Sequence, residues 1–132
     1  MKKLVFAIMF LFCAGIISAQ DTTNQEPKLK LIALKFYADW CPTCKTMEPI
    51  FTDLSNKFDN SSVLFVTLDF TNKTTRQNAN LTMQALGLSH LLYTYKGTGY
   101  IVLVDPTSGK ALEIFTIKLT FDEMCALIKQ HL

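Results

Sequence analysis

Apolar positions fall in runs separated by short polar stretches, and their spacing changes along the chain. Leu29 to Ala38 is rich in apolar and aromatic residues, as a strand buried on both faces should be. Met47, Ile50, Phe51, Leu54 and Phe58 then recur at helical spacing, so Cys44 to Phe58 reads as a helix with one apolar face. Val63 to Phe70 is a second buried strand. A strand–helix–strand unit of this length implies a parallel, right-handed crossover. Thr71 to Asn80 is polar and turn-like, and Leu81 to Leu86 looks helical with a stop at Gly87. Tyr100 to Asp105 and Ala111 to Ile117 form a strand pair around the turn Pro106-Thr107-Ser108-Gly109. Thr120-x-x-Glu123 is a capping box opening a last helix, Phe121 to His131, with Phe121, Met124, Cys125 and Ile128 on one face. The order is β-α-β-α-β-β-α, an α/β chain with a four-stranded mixed sheet flanked by helices.

The first apolar run is of another kind. Lys2 and Lys3 precede an apolar stretch from Leu4 to Ile17, and Ser18-Ala19 supplies small residues before Gln20. Residues 1–19 therefore read as a signal peptide. The run is shorter than the ~20 apolar residues a spanning helix needs. Residues 20–28 are a polar, flexible lead, and residues 29–132 are the folded domain. Export implies a periplasmic or secreted location and an oxidising compartment.

Length and composition fit a single globular domain of this kind. The chain has 132 residues, 49% of them hydrophobic. Its formal charge is +2, and setting Lys2 and Lys3 aside leaves the remaining basic residues in balance with 11 acidic ones. A near-neutral mature chain without a basic patch argues against a nucleic-acid partner.

The chemistry concentrates in Trp40-Cys41-Pro42-Thr43-Cys44-Lys45, at the junction of the first strand and the first helix. A Cys-x-x-Cys pair can cycle between dithiol and disulfide, or it can hold a metal. Redox cycling needs the first thiol at the helix N-terminus, where backbone N–H groups and the helix dipole favour a thiolate. The second thiol must be near enough to attack the mixed disulfide. Cys41 is thus the expected nucleophile and Cys44 the buried resolving thiol. Trp40 would either shield the pair and offer a partner an apolar surface or pack in the core. Cys125, on an apolar helix face, reads as a buried structural cysteine. His90 and His131 lack metal-ligand spacing to the pair, and no metal site is expected.

The stretch Phe36 to Lys45 resembles the active-site segment of the thioredoxin family. Pro49, five residues after Cys44, falls where that family kinks its active-site helix. The Tyr-Ala-Asp-Trp-Cys form is most similar to thioredoxin-like domains exported across bacterial membranes. The resemblance implies the minimal thioredoxin fold, with Leu88 to Tyr95 as an insertion. It also implies a protein-disulfide oxidoreductase that uses no cofactor beyond the Cys41–Cys44 couple, with Pro42 and Thr43 tuning its potential.

Two positions depart from the family. Lys35, six residues before Cys41, replaces a buried acid that assists proton transfer from the resolving thiol. A lysine there would favour thiolates electrostatically, and Asp39 could take over part of the acid's role. Gly97-Thr98-Gly99-Tyr100 replaces a Gly-Thr-Pro-Thr stretch, so Gly99 stands where the family has a cis-proline that positions substrate beside the cysteines. A cis bond before a non-proline residue costs roughly 2.5–4 kcal/mol, so Thr98–Gly99 is expected trans. The expected function is reduction of protein disulfides by a soluble monomer, recharged by a membrane thiol donor and contributing to redox homeostasis outside the cytoplasm. A disulfide-forming oxidant, a metal-binding or delivery module and a non-catalytic binding domain remain alternatives, because a fold does not fix a function.

Overall fold

A computed structural model describes residues 28–132; the expected signal peptide and all but the last residue of the lead lie outside them. The elements are β1 (Leu31–Tyr37), α1 (Pro42–Lys57), β2 (Val63–Asp69), α2 (Lys73–Ala85), α3 (Leu91–Thr94), β3 (Tyr100–Val104), β4 (Ala111–Phe115) and α4 (Phe121–His131). The strands form one sheet in the order β2-β1-β3-β4. β1 pairs parallel with β2 and antiparallel with β3, and β3 pairs antiparallel with β4, so the sheet is mixed as expected.

Side-chain alternation along β1 explains why its sequence is almost continuously apolar. Leu31 and Ala33 point to one face, packing with Phe51 and Leu54 of α1 and with Met124 and Ile128 of α4. Ile32, Leu34 and Phe36 point to the other, against Ala79 and Met83 of α2 and Leu91 of α3. A strand covered on both faces has no solvent side on which to place polar residues. Cys125 is buried in the first of these two layers, as its helix face predicted.

The segment from Thr71 to Asn80 corrects the turn-like expectation. From Lys73 onward it belongs to one helix, Lys73 to Ala85. Asn72 caps it, accepting bonds from the amides of Thr74 and Thr75, while the Thr75 hydroxyl accepts from the Asn72 amide. Threonine and asparagine have poor intrinsic helix propensity, and only Ala79 and Met83 are buried, so the apolar period is weak. Leu81, which suggested the later helix, is exposed on its outer side. The helix ends as expected at Gly87, with φ +71°. The amides of Gly87 and Leu88 bond back to Gln84 and Met83, the paired arrangement that satisfies the last carbonyls. The expected insertion, Leu88 to Tyr95, contains α3 and buries Leu88 and Leu91.

Candidate functional site

The parallel pairing of β1 with β2 brings the loops after both strands to one edge of the sheet. Phe70 N–H donates to the Tyr37 carbonyl (2.7 Å), Asp39 N–H to the Thr71 hydroxyl (3.0 Å) and Trp40 Nε1–H to the Thr71 carbonyl (3.2 Å). These bonds brace the turn that presents Cys41. Sequence reading did not single out Thr71. The register Tyr37↔Asp69 is the signal that could have found it, since it sets the residues after the two strands side by side.

α1 begins at Pro42, earlier than its apolar period showed, and Cys41 is its N-cap. Proline has no N–H to lose at the first helical position and its φ suits the helix. Pro49 lies inside the same helix, where it cannot donate to the carbonyl one turn back. The Cys41 sulphur accepts a hydrogen bond from the Cys44 amide (3.2 Å), and the Cys44 thiol faces the Phe36 carbonyl (3.8 Å). Both thiols are free and largely covered, Cys44 at 2% exposure and Cys41 at 7%. Cys41 is more enclosed than a helix terminus alone would make it, because Thr98 and Gly99 close over it from the opposite loop.

The two thiols are pushed in opposite directions. Burial works against ionisation of Cys41. The Cys44 thiol, the Thr98 hydroxyl and the amides of Cys44 and Thr43 together outweigh it and hold its pKa below that of an ordinary cysteine. Burial raises Cys44, and the neighbouring Cys41 sulphur raises it further. Alkylation follows the thiolate, so Cys41 in the reduced protein should react with a midpoint below, and Cys44 above, that of an ordinary thiol. Mass spectrometry of alkylated peptides across a pH series reads both; labelling of Cys44 ahead of Cys41 at mildly acidic pH would reverse the assignment.

Gly99 lies across from Cys41. Its amide donates to the Phe36 carbonyl (2.8 Å) and its φ is +95°. A Cβ there would stand 2.9 Å from the Thr43 Cβ and 3.5 Å from the Cys41 sulphur, so glycine is what lets the loop come this close. No peptide bond among the described residues is cis. Pro42 and Asp39 are exposed, Thr43 is half-buried, and Trp40 is 61% exposed, a surface ring and not a core one. His90 bonds to the Gly109 carbonyl (2.9 Å), and no cluster of three or more His, Cys, Asp or Glu residues suited to a metal occurs among the described residues.

Lys35 is 4% exposed, and its ammonium is held by Glu48 of α1 at 2.5 Å, above the ring of Phe51. Glu48 escaped sequence reading, although it sits one turn beyond Cys44 on the helix that Lys35 faces. The leading influences on both thiols are burial, each other, Thr98 and the backbone, while the Lys35 charge is met by a carboxylate. Glu48→Ala strands this ammonium and should cost about 1–2 kcal/mol, the buried-pair figure reduced because Glu48 is half-exposed. Lys35→Met removes the charge together with its need for a partner and should stay within about 1 kcal/mol of the parent. Urea unfolding compares the two; equal losses would mean that the lysine's packing matters more than its charge.

The thioredoxin family's sequence profile matches residues 18–86, just over half of the chain. The chain belongs to the thioredoxin family. Thioredoxin H4 of Arabidopsis thaliana is 50% identical over 36 residues, 27% of this chain and 30% of that protein. Protein disulfide-isomerase A4 of Mus musculus is 39% identical over 46 residues, 35% of this chain and 7% of that protein. The chain thus spans less than a third of the length of either relative. The reduced thioredoxin pre-protein of Schistosoma mansoni superposes with a TM-score of 0.51 at 22% identity, covering 82% of this chain and 85% of that one. Thioredoxin NaTrxh of Nicotiana alata gives 0.51 at 27% identity, covering 78% and 74%. The thioredoxin fold is therefore shared well beyond the segment where sequence similarity is high.

Proposed function

We propose that this thioredoxin-family chain reduces protein disulfides in an exported compartment through Cys41 and Cys44. The observation that carries the reading is the opposite tuning of two adjacent thiols at one helix N-terminus. The Cys41 thiolate attacks one sulphur of a substrate disulfide. That bond breaks, Cys41 is joined to the substrate, and the departing sulphur takes a proton. Once Cys41 is in a neutral disulfide, its charge no longer holds the Cys44 proton in place. The Cys44 thiolate then attacks the Cys41 sulphur, the second substrate thiol leaves, and two electrons have passed from the dithiol to the substrate. A dithiol donor must restore the pair, and outside the cytoplasm a membrane thiol carrier fits that need.

Export rests on the N-terminal pattern of residues 1–19. Mass spectrometry of the protein from its native host should find a soluble, monomeric form beginning near Gln20; an intact N-terminus in the membrane fraction would contradict this. The exchange itself is tested by Cys44→Ala in that compartment. The variant should accumulate mixed disulfides through Cys41, released by a small thiol. Absence of adducts would remove the support for protein substrates.

A further inference from the structure

A groove of about 570 Å³ opens beside Cys41, and neither the two thiols nor their tuning accounts for it. Its mouth is formed by Trp40 and Thr98, the neighbours of Cys41 in sequence and in space. Its floor is aromatic. Phe36 and Phe70 stack with centroids 5.7 Å apart, and Tyr95 tilts against Phe36 at 6.4 Å. Its outer walls are α2 and the inserted segment around α3.

The charge on these walls has one sign. Among the described residues no acidic side chain lines the groove, whereas Arg76 and Lys96 do. From Phe70 to Val104 the chain has no Asp or Glu at all, yet it carries Lys73, Arg76 and Lys96. Arg76 and Lys96 are exposed, and neither takes part in an ion pair among the described residues. Their hydrogen-bond partners are the carbonyls of Phe70 and Leu92. An aromatic floor with unpaired cations at its rim complements a ligand that is apolar at one point and anionic beside it.

We propose that this groove binds the segment flanking the attacked cysteine of a disulfide substrate, taking an aromatic side chain on its floor and an adjoining acidic residue between Arg76 and Lys96. The inference deepens the reading of Cys41 as the nucleophile toward protein disulfides and rests on it. It assigns substrate preference to the segment Leu88 to Tyr95 and to α2, and to cations that take no part in the exchange steps.

The test separates the groove from the redox chemistry. Trp40 is the only tryptophan in the chain and lines the groove, so its fluorescence reports occupancy. Two peptides with serine in place of cysteine are titrated into the reduced protein, one Phe-Glu-Ser and one Phe-Lys-Ser. The acidic peptide should bind about tenfold more tightly at low salt, and the gap should narrow as salt is added. Arg76→Glu with Lys96→Glu should reverse the order. The matching cysteine peptides, presented as mixed disulfides, should show the same preference in kcat/KM. Equal binding of the two peptides, or a preference untouched by the double charge reversal, overturns the proposal. N-acetylphenylalanine binding as tightly as the acidic peptide overturns it as well, marking a small-molecule pocket. Preference in binding without any reduction of the disulfide peptides would support the groove as a peptide site and remove the thiol–disulfide reading instead.

Discussion

Replacing Cys41 by serine is expected to abolish disulfide reduction, lowering the rate by at least roughly a thousandfold, as loss of a covalent nucleophile does. A serine at the N-cap still accepts the bond that the Cys44 amide now gives to the Cys41 sulphur, so α1 should keep its start and the fold its stability. The loss is therefore chemical and not structural. Cys44→Ser should behave differently: the first attack proceeds, the complex stalls, and turnover fails while a single round of adduct formation survives. Cys125→Ser leaves the exchange machinery intact, since that thiol is buried with Met124 and Ile128, in a different cluster from the one that holds Cys41 and Cys44. Turnover and single-round adduct formation against a peptide disulfide separate the three variants. Activity retained by Cys41→Ser but lost with Cys125→Ser would place the chemistry on the wrong thiol.

The second large effect is expected at Gly99. Its backbone forbids the proline that the family carries there, because φ at Gly99 is +95° and proline is locked near −65°. Gly99→Pro must therefore rebuild the loop that lies over Cys41 and lose the amide bond to Phe36. Gly99→Ala keeps the amide but meets the Thr43 Cβ at 2.9 Å with φ still positive. The alanine variant should lose about 1–3 kcal/mol, and the proline variant more, each with reduced exchange. Thermal unfolding and a peptide-disulfide assay measure this. A Gly99→Pro protein as stable and as active as the parent would show that the close approach to Cys41 is not needed.

Much of the fold was legible because its signals are local. β1 reads as a buried strand because both of its faces are covered, and α4 reads from its capping box and its apolar stripe. α2 was misread for a physical reason. Its stability comes from the Asn72 cap and from two buried residues, and neither produces a long apolar period. The cysteine pair was legible from its spacing and its place between strand and helix. What surrounds the pair was less so, since Thr71 braces the turn before Cys41 and Glu48 meets Lys35 through contacts that join different elements. Lys35 shows the difference well. Its position was read as electrostatic tuning of the thiols, yet whether its charge is free or neutralised depends on a carboxylate brought in by α1.

An equilibrium redox titration of the domain, read by differential alkylation and mass spectrometry, tests the central claim most directly. The account predicts one reversible two-electron couple in which Cys41 and Cys44 lose and regain alkylation together, with Cys125 remaining a thiol throughout. A pair that never closes, or oxidation that engages Cys125 in its place, would contradict it.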